Sequence, residues 1–283
     1  MKWEDREESG NVEDRRGLSP TTLAFGGGGL LIVLVAALLG VNPQKLAGLF
    51  GPKAPQRQVA RDPEEERLAR FTKVIFGDTE RVWGKLFDQK IGRAYKKPTL
   101  VLFTDRVDSA CGSADSAVGP FYCPADHRVY IDLTFYRDME TKLKAGGEFA
   151  RAYVIAHEVG HHVQNLLGYN ARAHNEGKKN STLANQMSVR LELQADYLAG
   201  VWAHHADKEF RFIEPGDVET ALNAAWQIGD DVLQKRARGR VIPEKFTHGT
   251  GKQRVKWFKE GLETGDISKK KLDHFFLVPY GDL

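Results

Sequence analysis

The stretch RAYVIAHEVGHHVQNLLG, residues 151–168, sets the tightest constraint on how this chain can fold. Apolar Tyr153, Val154, Ile155, Val159, Val163, Leu166 and Leu167 surround three histidines and a glutamate, so a helix here is buried over most of its surface. Buried polar side chains need partners. A fold that hides this helix must therefore bring groups from elsewhere to His157, Glu158, His161 and His162. Gly160 costs about 1 kcal/mol inside a helix relative to alanine, which makes sense where another element packs closely.

Positions four apart on a helix share a face about 6 Å apart along the axis, so the imidazoles of His157 and His161 can converge on one ion. Zinc takes neutral imidazole nitrogens in tetrahedral geometry, and a catalytic site leaves one position for a water whose pKa it lowers to about 7. Glu158, one step round the helix, can take the proton of that water, which makes H-E-x-x-H two ligands and a general base. An amphipathic helix with satisfied core histidines is the competing account.

A catalytic zinc needs a third protein ligand. The metzincin extension requires glycine at 164 and histidine at 167, and Gln164 with Leu167 exclude it. In VRLELQADYLAG, Glu192 and Asp196 sit four apart among apolar Leu191, Leu193, Tyr197 and Leu198, so a buried second helix would carry both acids on one face. Glu192 can complete a His, His, Glu set, and Asp196 can accept the second N–H of a ligand histidine and fix its tautomer. A solvated acidic face is the alternative. His162, turned about 100° from His161, is read as packing or supporting rather than binding the ion. His174, His204 and His205 remain alternative third ligands. His248, in the loop KFTHGT, is either a transition-state stabiliser or a helix-capping residue.

The run TTLAFGGGGLLIVLVAALLGV, residues 21–41, carries no charge over the length needed to cross a hydrocarbon core. It reads as an uncleaved single-pass anchor: the region before it is acidic and no A-x-A site closes it, which argues against a cleaved signal peptide. Arg6, Arg15 and Arg16 before the run nearly balance Lys45, Lys53 and Arg57 after it, so charge leaves the orientation undecided. The two cysteines, Cys111 and Cys123, flank a loop-like segment that can fold back to join them. A disulfide between them would place the soluble part in an oxidising, extracytoplasmic compartment.

Residues 1–20 read as a polar disordered N-terminus, 21–41 as the transmembrane anchor, 42–61 as a Pro/Gly-rich tether and 62–283 as the folded domain. Asp62 and Pro63 open its first helix as N-cap and first-turn residue. TLVLFTD reads as a strand, and PFYCPADHRVYIDLTFY as a hairpin turning at 124–127. Helices are expected over about 148–167, 183–205, from 217, and over 252–263, with 168–182 as a polar connection. This is an α+β pattern. A net charge of +3, with basic and acidic residues interspersed, excludes a nucleic-acid footprint.

With these residues in view, the chain resembles the bacterial family of neutral zinc metallopeptidases. The likeness covers the N-terminal span, ACGSADSAVGPFYCPADHRVYIDLTFY, HEVGHHVQ, ELQADYLAG, IGDDVLQK and FTHGTGKQRVKWF followed by a GD dipeptide. It implies a zincin-like fold, with a small antiparallel sheet packed on the active-site helix. HEVGHH with E-x-x-A-D is also similar to the gluzincin membrane peptidases, which implies Glu192 as third ligand and Asp196 as its support. The ending ISKKKLDHFFLVPYGDL departs from the family's, so no role is carried over to it. The resulting expectation is a membrane-anchored zinc endopeptidase that uses Zn2+ and Glu158 on peptide or protein substrates. The strand at 128–133 would offer an edge to the substrate. A zinc-stabilised scaffold that holds a peptide without cutting it is the rival from another class, and a metal-free structural domain is a second. The oligomeric state has no signature in the sequence.

Overall fold

The computed structural model describes residues 1–17, 62–115 and 118–283. The anchor expected at 21–41 and the tether at 42–61 lie outside the described residues. Among the described residues, no helix is long and apolar enough to cross a membrane.

The main sheet has four strands: β1 (Val12–Asp14), β2 (Thr99–Phe103), β5 (Phe121–Cys123) and β6 (Arg128–Asp132), in the order β1-β2-β6-β5. β1 runs parallel to β2 and β2 parallel to β6, whereas β5 pairs antiparallel with β6. The sheet is therefore mixed, not antiparallel as expected. Only the β5–β6 hairpin, turning at the expected 124–127, joins neighbours directly. β2 and β6 are separated by the hairpin of β3 (Arg106–Ser109) and β4 (Gly112–Asp115) and by β5, a connection long enough for a parallel crossover. The order also corrects the expected substrate edge. β6 lies inside the sheet, and among the described residues the edge strand on that flank is β5.

β2 reads as a continuous apolar run because both its faces are covered. Leu100 and Leu102 join Val129 and Ile131 in the main core with the helices, while Val101 and Phe103 pack with Tyr130, Cys123 and Val107 on the other face.

On the helical side, α1 (Pro63–Leu86) starts where expected, with the Asp62 side chain accepting from the Glu64 N–H. After α2 (Thr134–Thr141) comes α3 (Glu148–Leu167), the histidine helix, whose buried side chains form the middle of the core. The segment expected to be a polar connection is instead helical. Gly168, at φ 87°, ends α3 and starts α4 (Tyr169–Gly177) in a single left-handed residue. Tertiary contacts override the weak apolar pattern of α4: the Tyr169 ring stacks on Phe276, and its hydroxyl donates to Asp273 at 2.9 Å. α5 (Ser181–Phe210), α6 (Asp217–Gln227), α7 (Asp230–Arg238), α8 (Gly251–Thr264) and α9 (Lys269–Leu277) complete the set, with α5 packed between α3 and α8.

The largest correction concerns the N-terminus. Residues 1–17 are part of the folded domain rather than a disordered tail, so the domain does not begin at 62. Trp3 is 2% exposed, packs edge-on against Phe71 and donates its indole N–H to Glu148 at 3.1 Å. Arg6 pairs with the buried Asp78 at 2.6 Å. Several of the charges that suggest disorder in the sequence meet partners elsewhere in the fold, Glu8 with Arg70, Glu13 with Arg128 and Arg16 with Glu65. Removing the Trp3 side chain should cost about 3–5 kcal/mol, the usual range for emptying a buried aromatic site. Chemical denaturation of Trp3→Ala against the parent checks it, and an unchanged midpoint would contradict the docking of this segment.

Candidate metal centre

α3 and α5 bring the three expected donors together. Glu192 places Oε2 3.2 Å from His157 Nε2 and Oε1 3.3 Å from His161 Nε2. All three donor groups lie within 4.8 Å of one another, and among the described residues no other such group is found. Ligand atoms about 2.0–2.1 Å from a tetrahedral zinc sit about 3.3 Å from each other, and each imidazole Nε2 stands at about that spacing from one of the two Glu192 oxygens. The close approach depends on Gly160. A Cβ there would lie 3.0 Å from the Ala195 carbonyl oxygen and 3.3 Å from the Ala195 Cα, so a side chain would push α5, and Glu192 with it, away from the histidines.

Each histidine has its other ring nitrogen fixed. His157 Nδ1–H donates to Asp196 Oδ1 at 2.9 Å, and His161 Nδ1–H donates to Gln164 Oε1 at 2.9 Å. Both Nε2 lone pairs are thereby left for an ion. Gln164 is itself oriented, because its NH2 donates to the Leu191 carbonyl at 2.6 Å and to Gln194 Oε1 at 3.0 Å. The sequence showed Gln164 only as a departure from the metzincin pattern.

Asp196, fully buried, is a hub. Besides His157 it accepts from the Tyr153 hydroxyl at 2.5 Å and from Arg254 Nε and Nη2 at 2.8 and 2.9 Å. Arg254 stands in the first turn of α8, 2% exposed, with Nη2 also 3.8 Å from Glu192. Sequence reasoning missed it: one arginine in KQRVKWF has no periodicity to mark it, and its partners at the centre, Asp196 and Tyr153, lie 58 and 101 residues away.

The electrostatics favour a cation. Burial works against a charge on His157, yet the carboxylates of Asp196 and Glu192 push its pKa up to about 10. Glu192 is held well below the usual carboxylate range: burial opposes this, and His161 and His157 outweigh it. Burial raises Glu158, which makes it readier to hold a proton than an ordinary glutamate. These three donors, at these separations and in this field, fit a divalent ion.

The centre opens into a cleft of about 530 Å³, lined by Glu158, by Phe121 and Tyr122 of β5, and by His248 and Arg254. Asp230, at the start of α7, grips the loop that carries His248. Its Oδ2 accepts from the N–H groups of Thr247, His248 and Gly249 at 2.7, 2.6 and 3.1 Å. Thr250, with Gln253, caps α8, so His248 is not the capping residue. Its imidazole lies 3.2 Å from Asp230 Oδ1, and that bond raises its pKa.

His162 stays out of the centre, as its angle on the helix implies. Its Nε2–H donates to the Lys96 carbonyl at 2.7 Å and its Nδ1 accepts from the Tyr122 hydroxyl at 3.0 Å, while Asn165 donates to the same hydroxyl at 3.1 Å. These bonds strap β5 to α3. Burial pushes the His162 pKa down to about 4 and keeps the ring neutral. His204 and His205 donate instead to the Leu262 and Gly265 carbonyls, at 2.8 and 2.9 Å. Cys111 and Cys123 form a disulfide, with Cα atoms 5.8 Å apart, that ties the β3–β4 hairpin to β5.

Two histidines of an H-E-x-x-H helix and a glutamate from the next long helix are the donor set of a zinc hydrolase centre. His157, His161 and Glu192 form a group that could hold such a metal ion. The chain belongs to the family described as "Putative neutral zinc metallopeptidase", whose sequence profile matches residues 1–273. It is 48% identical over 279 residues to the Escherichia coli (strain K12) protein named "Uncharacterized protein YpfJ", covering 94% of this chain and 96% of that one. It is 40% identical over 250 residues, 82% of each chain, to Mycobacterium bovis "Uncharacterized protein Mb2605" and, at the same values, to Mycobacterium tuberculosis "Uncharacterized protein Rv2575". No solved structure matches.

Proposed function

We propose that this protein is a membrane-attached zinc endopeptidase of zincin-like, gluzincin type. The observation that carries the reading is Glu158, buried beside the His157, His161 and Glu192 triangle and facing a cleft bordered by β5. A purely structural zinc site has no use for such a base.

Zinc held by His157, His161 and Glu192 supplies a Lewis acid for the scissile carbonyl and an acidified water. Glu158 takes that water's proton and passes it to the leaving amine. Its burial matches a group that must keep a proton between the two transfers. Asp196 and Tyr153 hold His157 in its ligating tautomer, and Arg254 balances the charge of Asp196. His248, held at the rim by Asp230, is the donor placed to meet negative charge developing on the carbonyl oxygen. An extended substrate adds along the outer side of β5, where main-chain pairing accepts varied side chains.

Membrane attachment rests on the uncharged run 21–41. The Cys111–Cys123 disulfide supports an extracytoplasmic centre.

The test is cleavage of a chemically unfolded protein by the purified full chain. Activity should disappear on chelation and return with stoichiometric zinc. Cleavage that survives complete metal removal, or never appears with zinc loaded, would sink the reading.

A further inference from the structure

Part of the cleft lining takes no part in holding the ion or moving a proton. Val154 of α3, Ile228 just after α6 and Leu233 of α7 border the same space as Glu158. Val154 stands three residues before His157, so it shares that face of α3, about 4.5 Å along the axis toward the start of the helix. Ile228 lies on the same side, because its carbonyl accepts from Arg254 Nη1 at 3.5 Å, and Nη2 of that arginine is 3.5 Å from His157 Nδ1. Leu233 is one turn into α7, its N–H donating to the Gly229 carbonyl at 2.9 Å. Three apolar side chains from three elements thus adjoin the metal centre on its His157 side.

This wall is preformed. A Cβ on Gly229 would lie 2.1 Å from the Gly251 nitrogen, so the turn between α6 and α7 is pressed onto the start of α8. The Asp230 N–H donates to the Gly249 carbonyl at 2.8 Å, and the Gly251 N–H to Asp231 Oδ1 at 2.8 Å. A side chain that enters here therefore orders nothing new in the protein. Nor does a charged one find a free partner. Among the described residues, the cleft's carboxylates are Glu158 and Glu192 and its one guanidinium is Arg254. Glu192 faces the two histidines, Arg254 is bound to Asp196, and Glu158 is the base. Desolvating a charge against Val154, Ile228 and Leu233 is costly, whereas an apolar group gains by it.

We infer that Val154, Ile228 and Leu233 form a specificity subsite, which takes a large aliphatic or aromatic side chain from the residue next to the scissile bond on the His157 side. This rests on the peptidase reading above and narrows its substrate class.

Two series of peptides test it on the full, zinc-loaded chain, each varying the residue on one side of the scissile bond among Leu, Phe, Ala, Asp and Lys. Cleavage is followed as kcat/KM of the parent, and binding as the affinity of Glu158→Gln for the uncut peptides. In one of the two series, Leu and Phe should exceed Ala, Asp and Lys by at least about 10-fold in both measurements, the lower end of what an apolar pocket discriminates. Leu233→Lys should turn that series toward Asp, and the milder Leu233→Ala should lose about 10-fold on Leu. Equal values across both series, or the parent's preference kept by both Leu233 variants, would overturn the subsite and leave the peptidase reading standing. Selective binding without any cleavage by the parent would uphold the apolar subsite and overturn the peptidase reading. Binding of none of the peptides would overturn both.

Discussion

Glu158→Gln is expected to bind zinc as the parent does and to lose on the order of 10²–10⁴-fold in kcat/KM on a peptide substrate, the usual contribution of a positioned general base. The separation of effects follows from the geometry. The proposed ligands are His157, His161 and Glu192, and the atoms that orient the two histidines belong to Asp196 and Gln164, so the substitution at 158 removes no member of either set. Glutamine keeps the volume of glutamate in a position only 8% exposed but cannot take up a proton. Metal analysis and steady-state kinetics on the same preparation decide it. Undiminished cleavage with zinc bound would remove Glu158 from the mechanism.

The second large effect is expected at Glu192. Glu192→Ala takes away the proposed ligand from α5, the one member of the group, among the described residues, that stands on a second helix. Stoichiometric zinc and all cleavage should be lost together. A milder change serves as the control. Asp196→Asn leaves the three ligands in place but weakens the hold on His157, and a 10–100-fold drop in zinc affinity is the usual size of such an effect. Because the ion binds only the folded chain, free zinc at 100 times Kd stabilises the parent by about 2.7 kcal/mol, and this increment should vanish in Glu192→Ala. Equilibrium dialysis and denaturation with and without zinc measure both quantities. Retention of parent-like affinity by Glu192→Ala would mean that another residue is the third ligand.

The parts of this site that could be read in the sequence share one property: their partners are close along the helix. His157 with His161, and Glu192 with Asp196, are i,i+4 pairs with apolar neighbours, and periodicity alone places each pair on one face. The Asp62 cap and the turn at 124–127 are local in the same sense. What could not be read depends on groups far apart in the chain. Arg254 becomes meaningful only beside Asp196, and Trp3 only beside Phe71 and Glu148. Residues 1–17 look like a solvated tail because composition counts charges without showing that Arg6, Arg16 and their acids meet across the fold. The parallel pairing that puts β6 inside the sheet escaped for the same reason. A hairpin announces its register in its turn, whereas β2 and β6 find each other through an intervening 24 residues with no local signal.

The placement of β1 also has a consequence for the order in which the molecule is made. Val12–Asp14 is made well before its pairing partners, Leu100–Leu102, which emerge only after the whole of α1. Until then the strand has nothing to close against, and the edge of β2 that it covers stays open to other chains once β2 is out. Sheet closure on that side is therefore a late, long-range event, the kind that slows folding because loop entropy must be overcome before the contact forms.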